Sequence, residues 1–281
     1  LSVVLTAKGE DGAAVSTEDM EKSRAIIESR VNALGASEAV VQVLSDDALL
    51  FAVSSVGEGA RLRAAGIGKD ILVLTPLLSD EDALRAGYYD LIAAAASAES
   101  LALAAGLRAH LVLNTGMNRY GFSPQTIEWA CRRARALGVR VEGVFSHFYD
   151  AADAEARREQ TRAFSEGCAV VRRFFPEALR HLCATGGILA GGEMFDAVRP
   201  GLGLYGYAPP RFENSLGLLP AVQVWACVGQ ETRPYGGGAG YAAAPRAFSA
   251  LHTLCAGYGD GFFRAGGLDA VGKLCMDACV R

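Results

Sequence analysis

The chain has 281 residues, of which 51% are hydrophobic, and its formal net charge is −4 at pH 7. This size fits one large domain or a large and a small one, and the mildly acidic balance offers no basic surface for nucleic acid or an anionic membrane. No secretory signal opens the sequence, and Glu99 interrupts its longest apolar stretch, so no transmembrane helix is predicted. The seven cysteines include no Cys-x-x-Cys pair, which favours a reduced, cytoplasmic protein without a metal site.

The first 46 residues are predicted to form a β–α–β unit. Apolar runs at 1–7 and 39–44 flank a segment with helical spacing. Thr17 takes the N-cap position of that segment and acidic residues fill its first turn, as the amino end of a helix prefers.

Strands and helices then alternate along the chain. The strands are predicted at 49–54, 70–76, 90–97, 110–116, 139–147, 180–187 and 195–206. The helices are predicted at 56–66, 79–87, 98–106, 123–138 and 153–175. Nearly continuous apolar strands between amphipathic helices indicate a parallel sheet covered by helices. The number of units suffices for a (β/α)8 barrel over residues 47–206, and an open doubly wound sheet is the alternative.

The pattern of residue types changes after residue 206. Short β-like runs and glycine turns replace the helical period, so a small β domain is predicted at 207–281.

Polar residues follow several of the predicted strands. They are Arg119, His147, Thr185 and Arg199. A (β/α)8 barrel carries its chemistry at the carboxyl ends of its strands, so we expect these side chains to share one rim.

Three glycines after Arg199 form a Gly-x-Gly-x-x-Gly pattern, with Gly201, Gly203 and Gly206 at its fixed positions. In a dinucleotide fold this pattern opens a helix, whose amides hold the pyrophosphate. Two prolines at 209–210 argue against such a helix, which leaves a turn or another close approach to an anion.

Seven segments in a fixed order carry a family resemblance. They are HLVLNTGMNRYGF, GVFSHF, HLCATGG, FDAVRPGLGLYG, GGGAGYAAA, GYGDGFFR and VGKLCMD. Together they resemble the alanine racemase family over about residues 49–281. The resemblance implies a (β/α)8 barrel that binds pyridoxal 5'-phosphate (PLP), a following β domain, and a head-to-tail homodimer. It also implies a cytoplasmic isomerase that makes D-alanine for the cell wall from a small amino-acid substrate. A serine racemase of the same family and a non-catalytic barrel that binds PLP or phosphate are the alternatives.

The resemblance also implies how the cofactor would be bound. Thr185, Gly201 and Leu202 match positions that contact the PLP phosphate, and the glycines bring backbone amides to it. Arg199 matches the arginine that faces the pyridine nitrogen, where a permanently charged partner keeps that nitrogen unprotonated.

Further residues match the family's catalytic and substrate positions. Tyr241 matches the catalytic tyrosine, which needs a positive neighbourhood because an ordinary tyrosine is a poor base, and His147 and Arg199 would supply one. Arg119 matches the arginine that contacts the cofactor phenolate and the substrate carboxylate. The substrate side and its entrance corridor are matched by Met276, Asp277, Tyr258, Arg264 and His181.

The sequence departs from the family where the PLP-bearing lysine should stand. The lysine position holds Leu5, and Lys8 is the only nearby candidate for a second catalytic base. Residues 2–44 resemble the extracytoplasmic region of the D subunit of the Sec protein-export machinery, so a foreign unit is expected to stand in for the first barrel unit. We therefore expect weak PLP binding and racemase activity near background.

Two other departures concern the barrel and the end of the chain. Val112 and Asn114 replace a lysine and an aspartate that many relatives carry. The sequence ends soon after the VGKLCMD segment, so the β domain is expected to be incomplete.

Overall fold

A computed structural model describes residues 2–4, 48–220, 226–235, 237–243, 249–260 and 270–281. These residues belong to two compact units, Leu1–Val222 and Gln223–Arg281. The sequence placed the boundary after residue 206, but the following segment returns to the barrel, where the backbone of Leu219 packs against Gly206. The predictions for Leu5, Lys8, Arg264 and most of the first 46 residues lie outside the described residues.

The first unit contains an eight-stranded sheet whose strands follow one another in chain order. The strands are β1 (Ser2–Val4), β2 (Leu50–Val53), β3 (Asp70–Pro76), β4 (Ile92–Ala95), β5 (Arg108–Val112), β6 (Arg140–Phe145), β7 (Leu179–Ala184) and β8 (Ala197–Arg199). Strands β2 to β8 run parallel, and β1 lies beside both β2 and β8, so the sheet nearly closes. The barrel prediction is confirmed, and the doubly wound alternative is wrong because such a sheet reverses its strand order.

Strand β1 differs from the other strands in direction. It pairs antiparallel with β2, with Ser2 opposite Ala52 and Val4 opposite Leu50. A (β/α)8 barrel has parallel strands throughout. The first barrel position is therefore filled by a strand of the opposite direction.

Helices follow the parallel strands and cover the sheet. They are α1 (Val56–Ala64), α2 (Asp80–Tyr88), α3 (Ala98–Leu103), α4 (Ile127–Ala136), α5 (Ala154–Phe174) and α6 (Thr185–Leu189). The side chain of Ser79 accepts a hydrogen bond from the amide of Asp82, which confirms the predicted serine cap of α2. Helix α4 begins later than predicted, because residues 123–126 form a hydrogen-bonded turn instead. Among the described residues, no helix combines the length and apolar character needed to cross a membrane.

Alternate residues of each strand face two cores. Phe51 and Val53 pack with the helices, whereas Leu50 and Ala52 belong to a second cluster inside the barrel. This period of two is the pleat of a strand buried on both faces. The two cores explain why the strands are apolar along their whole length.

The second unit is built from short antiparallel strands. They are β9 (Val228–Thr232), β10 (Gly238–Ala239), β11 (Ala242–Ala243), β12 (Leu251–Leu254) and β13 (Cys279–Val280). Strands β13, β12 and β9 form one sheet in that order, and β10 and β11 form a hairpin. This arrangement matches the predicted small β domain.

An ion-pair network ties the amino ends of three barrel strands together. The guanidinium of Arg108 donates to both carboxylate oxygens of Asp70, at 2.7 and 2.8 Å, and to Glu142 at 2.9 Å. These hydrogen bonds hold the pKa of Asp70 below its ordinary value. The network lies at the rim opposite the strand ends that carry the candidate site, so its role is stability.

We predict that Arg108→Ala lowers the free energy of unfolding by about 1.5–3 kcal/mol, because charged hydrogen bonds are lost. Urea-induced unfolding at pH 7 measures this. The matched control is Arg132→Ala, which removes an exposed i,i+4 pair with Glu128 and should lower the free energy of unfolding less, because solvent screens that pair.

The stabilising effect of Arg108 should also depend on pH. The folded-state pKa of Asp70 is depressed, so its stabilisation is present above the unfolded pKa of about 3.9 and is lost as pH falls below it. The difference between the wild type and Arg108→Ala should shrink toward pH 3. Equal stabilities of Arg108→Ala and Arg132→Ala at pH 7 would contradict this account.

Candidate functional site

Two adjoining clefts, of about 390 and 220 Å³, open at the carboxyl ends of the strands of the first unit. Both are lined by His147, Ala184 and Arg199. Thr185 lines the larger cleft and Arg119 the smaller one. The structure thus brings the four strand-end residues to one rim of the barrel.

A buried hydroxyl and two backbone amides meet at the floor of the larger cleft. The Oγ1 atom of Thr185, the first residue of α6, accepts hydrogen bonds from the amides of Gly201 (3.2 Å) and Gly203 (3.0 Å). A Cβ atom on Gly203 would lie 3.1 Å from the Thr185 methyl group, so glycine permits this approach. With both lone pairs occupied, the hydroxyl has its proton left to donate into the cleft. Leu202 lies between the two amides and is exposed beside the cleft.

The Gly-x-Gly-x-x-Gly segment is not followed by an α-helix. A single 3₁₀ turn (Leu202–Tyr205) lies within it, and Gly206 ends that turn with a left-handed φ of 80°. The dinucleotide interpretation therefore lacks the long helix that it requires. The segment is a turn that holds amides against Thr185.

Arg199 is the last residue of β8 and is only 2% exposed. Its Nη1 atom donates to the carbonyl of His181 at 2.8 Å, and its Nη2 atom donates to those of Ser146 (2.6 Å) and Leu182 (3.1 Å). Burial lowers the pKa of Arg199 to about 10, so it is charged at neutral pH. No carboxylate of the described part of the chain forms an ion pair with it. A buried positive charge whose hydrogen-bond partners are all neutral attracts an anion to the adjoining cleft.

His181 lies behind Arg199 and not in an entrance corridor. It is 0% exposed, its Nδ1 atom lies 2.6 Å from Arg199 Nη1, and its Nε2 atom lies 2.8 Å from Nδ1 of His110. A guanidinium only donates, so Nδ1 of His181 accepts and Nε2 carries the proton donated to His110. The corridor prediction for His181 is wrong because its side chain points into the barrel, where it stacks on Phe145.

The sequence interpretation missed His110. This residue is buried in the middle of the apolar strand β5, and nothing in its local pattern separates it from a core residue. Burial and the charge of Arg199 lower its pKa to about 3, and the same two causes lower the pKa of His181 well below its ordinary value. Both imidazoles are therefore neutral at neutral pH, and they continue the chain of hydrogen bonds that begins at Arg199.

His147 follows β6 and faces both clefts. Burial first, and then the charges of Arg199 and Arg119, lower its pKa to about 4. At neutral pH it is an uncharged imidazole that can donate or accept a hydrogen bond in the cleft.

Arg119 stands on a loop that Asn114 organises. The Oδ1 atom of Asn114 accepts from the amides of Gly116 and Asn118, both at 3.1 Å. Asn118 and Gly116 have positive φ angles of 55° and 134°, so the loop needs these local hydrogen bonds. The exposed guanidinium of Arg119 lies 5.8 Å from the ring centre of Tyr120. Asn114 thus shapes the loop that carries Arg119.

Gln160 of α5 joins the two loops that carry Arg119 and His147. This side chain is 1% exposed and donates to Thr115 Oγ1 (3.0 Å) and the His147 carbonyl (3.1 Å), while it accepts from the Tyr149 amide (3.1 Å). The sequence interpretation missed it because its neighbours in α5 are charged and read as a solvated face. The helical period, which groups Gln160 with Phe164, was the available signal.

The second unit presents the remaining predicted site residues on its own surface. Tyr241 is 63% exposed and follows Gly240, which bridges to Lys273. The Tyr258 amide donates to the carbonyl of Cys275 at 3.0 Å, which brings Tyr258 next to the Met276–Asp277 segment. Tyr258, Met276 and Asp277 are therefore neighbours within this unit.

Two of the four lysines fall within the described residues. Lys69 directly precedes β3, at the amino ends of the strands and away from the clefts. Lys273 belongs to the second unit. Neither of these two lines the clefts of the first unit.

Comparison with known sequences identifies clear relatives. A family model described as "Alanine racemase, N-terminal domain" matches residues 20–209. An alanine racemase of Deinococcus deserti is 32% identical over 248 residues, which cover 82% of this chain and 69% of the relative. An alanine racemase of Beutenbergia cavernae is 35% identical over 266 residues, covering 81% of this chain and 68% of the relative.

Solved structures share the fold. The biosynthetic alanine racemase of Pseudomonas aeruginosa matches with a TM-score of 0.73 at 24% identity, covering 92% of this chain and 82% of that one. Alanine racemase from Acinetobacter baumannii matches with a TM-score of 0.70 at 20% identity, covering 99% of this chain and 85% of that one.

We predict that His110, His147 and His181 stay neutral from pH 8 to pH 5, because burial and Arg199 lower their pKa values. Nitrogen-15 NMR of labelled histidine checks this, with half-exposed His252 as the reference signal. A midpoint near 6.5 for any of the three would contradict it.

The same histidines should make stability depend on pH. Their folded-state pKa values are depressed, so the stabilisation is present above the unfolded pKa of about 6.5 and is lost as pH falls. Each neutral histidine should remove about 1.4 kcal/mol of unfolding free energy per pH unit below that value. Denaturant unfolding between pH 7 and pH 5 measures this slope, and a flat profile would contradict it.

Proposed function

The chain belongs to the alanine racemase family, and from this premise we propose that it is a PLP-dependent isomerase site for L- and D-alanine, with turnover limited by the missing lysine. The observation that carries the proposal is the cleft in which the Thr185 hydroxyl, which accepts from the amides of Gly201 and Gly203 and keeps its proton to donate, lies beside the buried charge of Arg199. This donor set suits a phosphorylated, anionic cofactor. A serine racemase is the alternative substrate assignment.

The residues of the cleft fit PLP at both of its polar ends. Thr185, Gly201 and Leu202 would hold the phosphate: the Thr185 hydroxyl would donate its proton to it, the Gly201 amide would orient that hydroxyl, and Leu202 would border it from the same turn. Arg199 would face the pyridine nitrogen, where its fixed charge disfavours protonation. When bound, PLP supplies the electron sink that stabilises a carbanion at the α-carbon.

Racemisation also needs a proton removed on one face of the α-carbon and returned on the other. Tyr241 is proposed as the base on one face, contributed by a second copy of the chain in a homodimer. The neutral His147 and the charge of Arg199 would stabilise its phenolate. Arg119 would bind the substrate carboxylate, and Tyr258, Met276 and Asp277 would border the substrate.

The opposite face lacks an evident base. Lys8 is the one candidate near the family's lysine position, and it follows a strand whose direction is reversed. Val4, the last described residue before it, pairs with Leu50 at the amino end of β2, away from the clefts. This supports the proposal that PLP is held through its phosphate and ring alone, so substrate exchange is slow because no lysine activates the carbonyl.

The reversed strand also bears on the proposed organisation of the chain. It supports the proposal that residues 1–46 are a foreign unit that stands in for the first barrel unit, and the relation of residues 2–44 to the export D subunit is proposed from the sequence alone. A PLP-binding barrel, a β domain that follows it and a cytoplasmic location complete the proposal, by analogy with the family.

We predict that the protein with added PLP exchanges the alanine α-proton with D₂O slowly, but faster than PLP alone does. Tyr241→Phe should lower the rate to that of PLP alone, because the phenolate base is removed. The matched control is Tyr235→Phe, which changes another exposed tyrosine of the second unit and should leave the rate unchanged. NMR measures the exchange, and chiral chromatography measures the D-alanine formed.

The outcomes separate the alternatives. Faster exchange of serine than of alanine would favour the serine racemase. Equal rates for the wild type, Tyr241→Phe and PLP alone would contradict catalysis and leave a non-catalytic PLP-binding barrel.

We predict that borohydride reduction of the PLP-treated protein leaves no specific pyridoxyl mark on Lys8. Peptide mass mapping should show Lys8 labelled no more than Lys69 and Lys273, which serve as internal references for casual labelling. A dominant mark on Lys8, with alanine turnover lost in Lys8→Ala, would overturn the proposed absence of a PLP-bearing lysine.

A further inference from the structure

Two exposed cysteines face each other across the sheet of the second unit. Cys227 directly precedes β9 and Cys255 directly follows β12. The Cys255 amide donates to the Cys227 carbonyl at 2.9 Å, so the antiparallel pairing continues to this rung. The proposed racemase chemistry uses neither thiol.

The register places the two cysteines directly opposite each other. Leu254 pairs with Val228, and the next pair outward is Cys255 with Cys227. In a hydrogen-bonded antiparallel pair the Cα atoms lie about 5.5 Å apart, and a disulfide prefers about 5.5–6 Å. The side chains of opposed residues share one face of the sheet. The Cα spacing therefore suits a cross-strand disulfide, while the Cβ atoms, about 4.5–5.5 Å apart in opposed residues, must approach to the roughly 3.5–4.5 Å that the bond requires.

The surroundings leave room for that bond to form. The register of β9 and β12 shifts between Thr253 and Leu254, so a bulge lies next to the cysteine pair and can absorb a small change in strand separation. A Cβ atom on Gly229 would lie 3.1 Å from the Cys255 sulfur, so the absence of a side chain there keeps the thiol clear.

We propose that Cys227 and Cys255 form a reversible dithiol–disulfide site that is oxidised by a small-molecule disulfide such as glutathione disulfide. The thiolate of one cysteine attacks the small disulfide, breaks its S–S bond and releases one thiol. The second cysteine then attacks the mixed disulfide, forms the Cys227–Cys255 bond and releases the other thiol. The two protein thiols are oxidised by two electrons, and the small disulfide is reduced to two thiols.

The other cysteines are poor competitors in the folded protein. Cys131, Cys168 and Cys183 are buried in the barrel unit, and burial raises their pKa values to about 11, 12 and 11. Cys279 is also buried, and Cys275 is half-buried. Because the thiolate is the nucleophile, exchange should favour the exposed pair.

The test is oxidation of the full native chain in glutathione buffers of stepped redox ratio, followed by acid quenching and alkylation. Trypsin places the two cysteines in separate peptides: residues 212–246 contain only Cys227, and residues 247–264 contain only Cys255. The other two cysteines of this unit lie together in the peptide of residues 274–281. We expect the first two peptides to become linked, with the loss of two hydrogen atoms and without bound glutathione. Added dithiothreitol should reverse the link.

Two variants sharpen the test. Cys275→Ser should leave the link unchanged, whereas Cys227→Ser should leave Cys255 as a mixed disulfide with glutathione. Three results would overturn the proposal. They are stable glutathione adducts on both cysteines of the wild type, a disulfide between either cysteine and a third one, and a Cys227–Cys255 disulfide that forms only in urea. Cys131 and Cys168 should stay alkylatable only after unfolding, which verifies that the native fold was tested.

Discussion

The buried guanidinium of Arg199 is the interaction on which the site depends. Its hydrogen bonds reach the carbonyls of Ser146, His181 and Leu182, so a residue of β8 joins β7 and the end of β6. Carbonyl oxygens solvate the charge without neutralising it, and no carboxylate within the described ranges pairs with it. Burial, and after it the positive potential of Arg199, keeps the neighbouring imidazoles uncharged, and the same potential favours an anion in the adjoining cleft.

The Thr185 hydroxyl and the glycine turn, which we propose as the phosphate site, lie in the same cleft as that charge. Thr185 and the Gly201–Gly203 turn meet because β7 and β8 are adjacent parallel strands whose carboxyl ends open on the same rim. Glycine at 203 lets the turn approach Thr185, and Gln160 fixes the opposite wall by joining two loops. The backbone of the glycine turn thus positions Thr185 on one side of the site, and the buried side-chain amide of Gln160 positions the loops on the other side.

Sequence reasoning succeeded where a local pattern determines structure. Apolar runs and serine caps predicted the strands and helices, and the strand ends predicted which polar residues meet. It failed for His181 and His110, because an apolar strand does not show which side chains enter a barrel. It could not predict the reversed direction of β1, since an apolar run has the same pattern in either direction. The short helix after β7 was missed because Gly186 and Gly187 are poor helix formers.

The central claim is that Thr185 and the glycine turn bind the phosphate of an anionic cofactor beside Arg199. Isothermal titration calorimetry of PLP against pyridoxal, which lacks the phosphate, tests it most directly. We predict that PLP binds more tightly and that Thr185→Val weakens PLP binding about 10- to 100-fold, as the loss of a charged hydrogen bond requires. Thr161→Val, on the outer helix α5, should not change the affinity. Equal affinities for PLP and pyridoxal, or unchanged PLP binding by Thr185→Val, would contradict the claim.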